Sequence, residues 1–349
     1  MKNTKIARAV FSLVASLIIL SVASGTSNAQ PSQKVFKWRA QAAVAPGSIL
    51  YQSLERSFKS LKEATGGRLD ITLAGVGSFV GPFEVLDALG KGIFEVGLSV
   101  PAYYAGKDPG FTVLSTLAGV WENTQQCNIW LDEYGGKQLA REMFDKYNVY
   151  WVGQLMTGAE PIMSNVALRK LEDFKGVKIR TPAGITAELF TKLGATPVAL
   201  PPGELYSALD TKVIDAAEWV TLGENWTMGL AEVTKYVLYP SFHSPMFVTD
   251  IEVSKKAWES LPPDLKAAFH MAAYEFNAHY DWMSGALDIK TLPKMIQKGL
   301  VHTTLSAEDM KKAKEMSLEI VLNYKKKSPW SDKIITSIID YLRLSGRIK

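Results

Sequence analysis

The chain has 349 residues and carries 39 Lys and Arg against 35 Asp and Glu, a formal charge of +4. A charge this near balance, with no basic stripe, argues against nucleic acid as a partner. The single cysteine, Cys127, excludes an intrachain disulfide and reads as a small buried hydrophobe.

Taken in order, Met1–Ala29 reads as a secretory signal peptide. Lys2, Lys5 and Arg8 precede an apolar run, and Ser27-Asn28-Ala29 is a small-residue cleavage site. The apolar run of about 14 residues falls short of the roughly 20 that span a bilayer. No cysteine follows it to carry a lipid. Cleavage after Ala29 removes 29 of the 349 residues and three of the basic ones, leaving 320 residues at +1. The expectation is an exported, periplasmic protein of two lobes.

Phe36–Gln41 alternates as a strand. The next helix carries Leu50, Leu54, Phe58 and Leu61 on one face and stops at Gly66-Gly67. Leu69–Ala74 is a strand, a helix carries Phe83, Leu86 and Leu89, and Ile93–Val100 is a third strand. Tyr103 and Tyr104 follow it, so they belong at the carboxyl edge of that sheet, where hydroxyls can meet a ligand. An aromatic pair with one ring packed inward fits equally well. Trp121–Lys146 reads as helical and Val149–Leu155 as a strand crossing between lobes. Glu160 follows in a bend at the lobe junction, where a plain surface carboxylate is the simpler reading.

The segment 172–226 repeats the strand–helix order of 36–100. Val177–Thr181, Thr196–Leu200 and Val213–Trp219 are its strands, and Gly194 and Pro201-Pro202 stop and start its helices. Two similar α/β units far apart in sequence predict two lobes, each a small, mainly parallel sheet flanked by helices, with a cleft between them. Ligands bind at the carboxyl ends of parallel strands. Arg180 ends the first strand of the second unit, and Glu218 and Trp219 end its third. One cation and one carboxylate at that rim suit a small anion. They suit a structural Arg–Glu tie as well, and the residues alone do not choose.

Beyond this unit, Tyr239–Pro245 is a proline-bounded loop and Met246–Val253 a return strand. A long helix with Leu265, Phe269, Phe276 and Tyr280 on one face runs to Pro293, where a kink or break is expected. Ser306 and Asp309 resemble a capping box. Ile334, Ile335, Ile338, Ile339 and Leu342 form a late apolar stripe, suited either to the body of the protein or to a second copy. No histidine has a partner at a spacing such as HExxH.

EDFKGVKIRTPAG, GATPVALPPGELYSAL and TKVIDAAEW together resemble the DctP-like substrate-binding proteins of tripartite ATP-independent periplasmic (TRAP) transporters, as do WRAQAAVAPGSILYQSLERSFKSLKEATGG and AYYAGKDPGF. The likeness is greatest to the branch that binds 2-oxo acids or lactate with a metal ion. It implies a non-enzymatic receptor with lobe I at about 30–157 and 246–290 and lobe II at 158–245 and 291–349. The implied ligand site comprises Arg180, Glu160, Trp219, Tyr103, Tyr104, Asn225, Phe242 and His243. The implied metal ligands are Glu160, Glu218 and the Trp219 carbonyl. Trp38, Trp219 and Phe242 are the bulky candidates to set ligand length. The family position matching Glu160 is usually an amide, and the extra charge here favours calcium over sodium. Partners implied are a small carboxylate, the membrane permease subunits, and a homodimer through C-terminal helices. A metal-dependent enzyme using Glu160 and Glu218 is the competing class, and a ligand sensor is a third. Neither a GxSxG elbow, a P-loop nor a dinucleotide glycine motif supports catalysis.

Overall fold

The computed structural model describes residues 34–348. The expected signal peptide, 1–29, lies outside them, and no described helix is long and apolar enough to cross a membrane. The first unit is β1 (Phe36–Ala42), α1 (Ile49–Ala64), β2 (Leu69–Ala74), α2 (Val85–Gly90) and β3 (Val96–Ser99). β1 buries Phe36, Trp38 and Ala40 in alternation, as a half-buried strand must. Ser48 caps α1 by accepting from the Tyr51 amide, and Leu50, Leu54, Phe58 and Leu61 face the core.

After α3 (Thr124–Glu133), α4 (Gly136–Asp145), β4 (Val149–Thr157) and β5 (Ile162–Ser164), the second unit repeats the order. It comprises β6 (Lys178–Arg180), α5 (Ile185–Lys192), β7 (Thr196–Val198), α6 (Leu205–Asp210) and β8 (Ala216–Glu218). Then come α7 (Leu222–Thr227), β9 (Tyr236–Leu238), β10 (Phe247–Ser254), α8 (Pro263–Gln297), β11 (Val301–Thr303), α9 (Ala307–Tyr324) and α10 (Pro329–Leu344).

The two sheets have the orders β2-β1-β3-β10-β4 and β11-β9-β5-β8-β6-β7. Read from its other edge, the second begins β7-β6-β8-β5-β9, the arrangement of the first. In each, three strands are parallel. The fourth is antiparallel and arrives from the other sheet: β10 beside β3, and β5 beside β8. The sheets are therefore mixed where mainly parallel ones were expected. The chain crosses between them three times, at 158–161, at 239–246 and through α8 to β11, and the first two crossings are tied together. The Glu160 amide donates to the Ser244 carbonyl at 3.0 Å, and the Phe247 amide to the Gly158 carbonyl at 3.1 Å.

Three expectations change in detail. The helical stretch 121–146 is two helices, because Gly135 at φ +82° ends the first and Gly136 packs against the Trp130 ring. Pro293 lies inside α8 without ending it. The carbonyl it leaves unbonded is four residues back at Ile289, an exposed position that water can serve. The Ile334–Leu342 stripe is fully buried against this chain, so it offers no face to a second copy.

Candidate functional site

The carboxyl ends of β3, β6 and β8 converge on one small cavity. From the first sheet come Val100, Ala102 and Tyr103; from the second come Arg180, Pro182, Glu218 and Trp219. Glu160 enters from the crossing between β4 and β5. Phe247 and Val248 enter from the start of β10. Thr112, Ser115, Thr116 and Thr186 complete the wall with small hydroxyls that the sequence reading did not single out.

Arg180 is 1 % exposed, and its donors are largely committed. Nε donates to the Leu200 carbonyl at 3.2 Å. Nη1 donates to the Glu218 carbonyl at 3.0 Å and faces the Glu218 carboxylate at 3.5 Å. Among the described residues Nη2 meets only the Tyr103 hydroxyl, at 3.5 Å, a long contact from the opposite sheet. Arg180 is thus a tie: one edge holds the second sheet, while Nη2 keeps a single long contact beside the cavity that the residue lines. The guanidinium lies 5.3 Å from the Trp219 ring centroid, within cation–π range.

Glu160 and Glu218 are buried and within hydrogen-bonding reach of each other. Burial, then the Glu218 charge, holds the Glu160 carboxyl well above its ordinary range. Burial also raises Glu218, with Arg180 opposing. One carboxylate oxygen from each, together with a ring nitrogen of His243, lie within 4.8 Å of one another. Oxygen-rich donors at this spacing fit a divalent cation.

Other expected ligand contacts lie elsewhere. The Tyr104 hydroxyl donates to Glu252 at 2.9 Å, and its ring packs edge-on to Phe111 and Phe144. It points away from the cavity because adjacent residues of one tight turn face opposite sides. The Asn225 amide donates to the Trp219 and Thr221 carbonyls, which positions the Trp219 backbone and does not line the cavity. Phe242 packs among Phe174, Phe190 and His243. Trp38 sits in the core against Phe269. His243 is fully buried behind the two glutamates, and burial lowers its pKa to about 3, so the ring is neutral.

With this geometry in view, comparison with known proteins is decisive for class. Residues 40–327 match the model of DctP, the bacterial extracellular solute-binding protein, family 7. The chain belongs to that family: it is a solute receptor of the TRAP type, not an enzyme. A monocarboxylate 2-oxoacid-binding periplasmic protein of Nostoc sp. is 30% identical over 298 residues, 85% of this chain and 81% of that one. A TRAP solute-binding protein of Bordetella bronchiseptica, with calcium and picolinate bound in a dimer of mixed occupancy, is 27% identical. It has a TM-score of 0.81 over 90% of this chain and 93% of its own. A Pseudoalteromonas atlantica protein with sodium and pyruvate is 25% identical, with a TM-score of 0.81 over 89% and 95%.

Proposed function

We propose that this receptor binds a small monocarboxylate of the 2-oxo acid or lactate type through a bridging cation and delivers it to its membrane permease subunits. The observation that carries this is a charge imbalance. With both glutamates ionised, Glu160, Glu218 and the ligand carboxylate bring three negative charges to one buried cavity, and Arg180 returns one positive. Without a cation the raised Glu160 carboxyl keeps its proton instead. Each uncompensated charge there costs several kcal/mol unless neutralised. A divalent ion balances the two that remain; sodium leaves one. Among hard cations calcium suits the oxygens of Glu160, Glu218 and the Trp219 carbonyl. When bound, the ion neutralises the carboxylates and draws the ligand's oxygens to them. Arg180 Nη2 and the Tyr103 hydroxyl are the donors for the ligand carboxylate, and Trp219 covers its apolar part. The Nostoc, Bordetella and Pseudoalteromonas relatives, described with a 2-oxo acid, calcium picolinate and sodium pyruvate, support the same ligand class.

A thermal-shift screen of mono- and dicarboxylates, with and without added calcium, tests this reading. A ligand at about 100 times its dissociation constant adds about 2.7 kcal/mol to apparent stability. Pyruvate or lactate should raise the melting point with the cation present and be recovered unchanged. A response only to dicarboxylates or to uncharged solutes would overturn the assignment.

A further inference from the structure

His243 has no role in the reading above, yet its position is unusual. The ring is fully buried, with Phe190 and Phe242 at centroid distances of 5.2 and 5.6 Å. Nδ1 lies 2.6 Å from Ser241 Oγ, which also accepts from the Ser244 amide at 3.1 Å. Nε2 is buried and has no hydrogen-bond partner among the described residues. An orphaned buried polar atom is costly, and this one sits on a residue whose ring nitrogen is within 4.8 Å of an oxygen from each of Glu160 and Glu218.

Tautomer chemistry explains the orphan. Were Nε2 protonated, it would be a buried donor left without an acceptor. With the proton on Nδ1 and donated to Ser241 Oγ, Nε2 presents a lone pair. Two carboxyl groups and an imidazole gathered this closely form a donor set that a cation can take up in place of the proton that burial and the Glu218 charge keep on Glu160. A histidine whose second nitrogen is held by a hydrogen bond is the usual arrangement of a metal ligand. Ligand atoms around a cation with bonds of about 2.0–2.4 Å lie at most about 4.8 Å apart. The Glu160–Ser244 backbone bond locks the two crossings that carry Glu160 and His243, so the donor set is built into the junction.

We propose that His243 supplies a nitrogen ligand to the bridging cation, making a two-carboxylate, one-imidazole site that selects a borderline divalent metal of the zinc or cobalt class over calcium. Calcium takes oxygen ligands, whereas imidazole suits zinc and its first-row neighbours. The inference rests on the bridged-carboxylate reading above and changes which ion does the bridging.

The test is cation titration of chelator-stripped mature protein by calorimetry, with cobalt followed by its visible ligand-field bands. Wild type should bind zinc and cobalt more tightly than calcium. His243→Gln, which offers an amide oxygen, should weaken zinc by about tenfold or more and alter the cobalt bands while leaving calcium nearly unchanged. Ser241→Ala keeps the imidazole and removes its partner; a loss of about 10–100-fold for zinc is expected there. It also serves if the His243 variant does not fold. Zinc affinity and cobalt bands unmoved in both variants, or calcium bound more tightly than zinc, would overturn the proposal and leave the bridged reading intact. Absence of any cation binding, with pyruvate still bound, would overturn both.

Discussion

Arg180 Nη1 donates to the Glu218 carbonyl at 3.0 Å and faces the Glu218 carboxylate at 3.5 Å, with both side chains buried. The pair joins the carboxyl ends of two neighbouring parallel strands, β6 and β8, so one guanidinium sets the sheet edge and the charge of the cleft. Arg180→Lys keeps the charge but loses the planar fork that serves Leu200, Glu218 and Tyr103 together. Ligand affinity should fall by about 1.5–3 kcal/mol, the range for a hydrogen bond to a charged group, with a smaller drop in melting point. Unchanged affinity with a large loss of stability would make Arg180 a tie alone.

The two adjacent tyrosines should separate cleanly. Tyr104→Phe leaves the buried Glu252 carboxyl without its hydroxyl partner. It should cost about 1–3 kcal/mol in chemical denaturation and leave ligand affinity unchanged. Tyr103→Phe removes a cavity hydroxyl 3.5 Å from Arg180 and should do the reverse. Equal effects on both readouts would mean that both rings serve the ligand.

Much of the architecture was legible in the residues. The two α/β units, their strand ends and Arg180, Glu160, Glu218 and Trp219 as cavity residues follow from local patterns and family motifs. What was not legible depends on long-range placement. No local signal says that β10 enters the first sheet beside β3 or that β5 enters the second beside β8. Tyr103 and Tyr104 carry the same chemistry in adjacent positions, and only the turn decides which faces the cavity. The His243 ring meets Glu160 and Glu218 across separations that no motif spacing encodes. Thr112 and Gly184 likewise meet only when the two sheets come together.

Gly184 makes that meeting possible. Its φ is +119°, and a Cβ there would lie 2.5 Å from Thr112 Cγ2 and 2.8 Å from Thr112 Cβ. Gly184 follows β6 of the second sheet, while Thr112 follows β3 of the first. Gly184→Ala should therefore hinder closure on the ligand. Small-angle scattering should show a smaller ligand-induced fall in radius of gyration than in wild type, with partial recovery in Gly184→Ala/Thr112→Ala. A wild-type response in the single variant would contradict this.

A second link between the halves is sensitive to pH. Glu224, on α7, accepts from the Leu50 amide at 2.7 Å and the Ile49 amide at 3.3 Å, at the start of α1. Asp288, on α8, accepts from the Gly223 amide at 2.8 Å. Burial pushes Glu224 up to about 7 and Asp288 up to about 6. Both acids hold more protons folded than unfolded, so their contribution favours the fold most near pH 4 and is lost as pH rises through about 4 to 7. Glu224 alone accounts for a change on the order of 3 kcal/mol. Denaturant melts at pH 4.5, 6 and 7.5 should show this slope, reduced in Glu224→Gln. A slope of opposite sign would mean that the amides hold Glu224 ionised throughout.

The central claim is that a cation joins the ligand carboxylate to Glu160 and Glu218. It is tested most directly by calorimetric titration of pyruvate into chelator-stripped protein in sodium-free buffer, before and after a divalent cation is restored. The account predicts little or no binding without the cation and tight binding once zinc or calcium is returned. Equal affinity in the stripped and restored protein would contradict it.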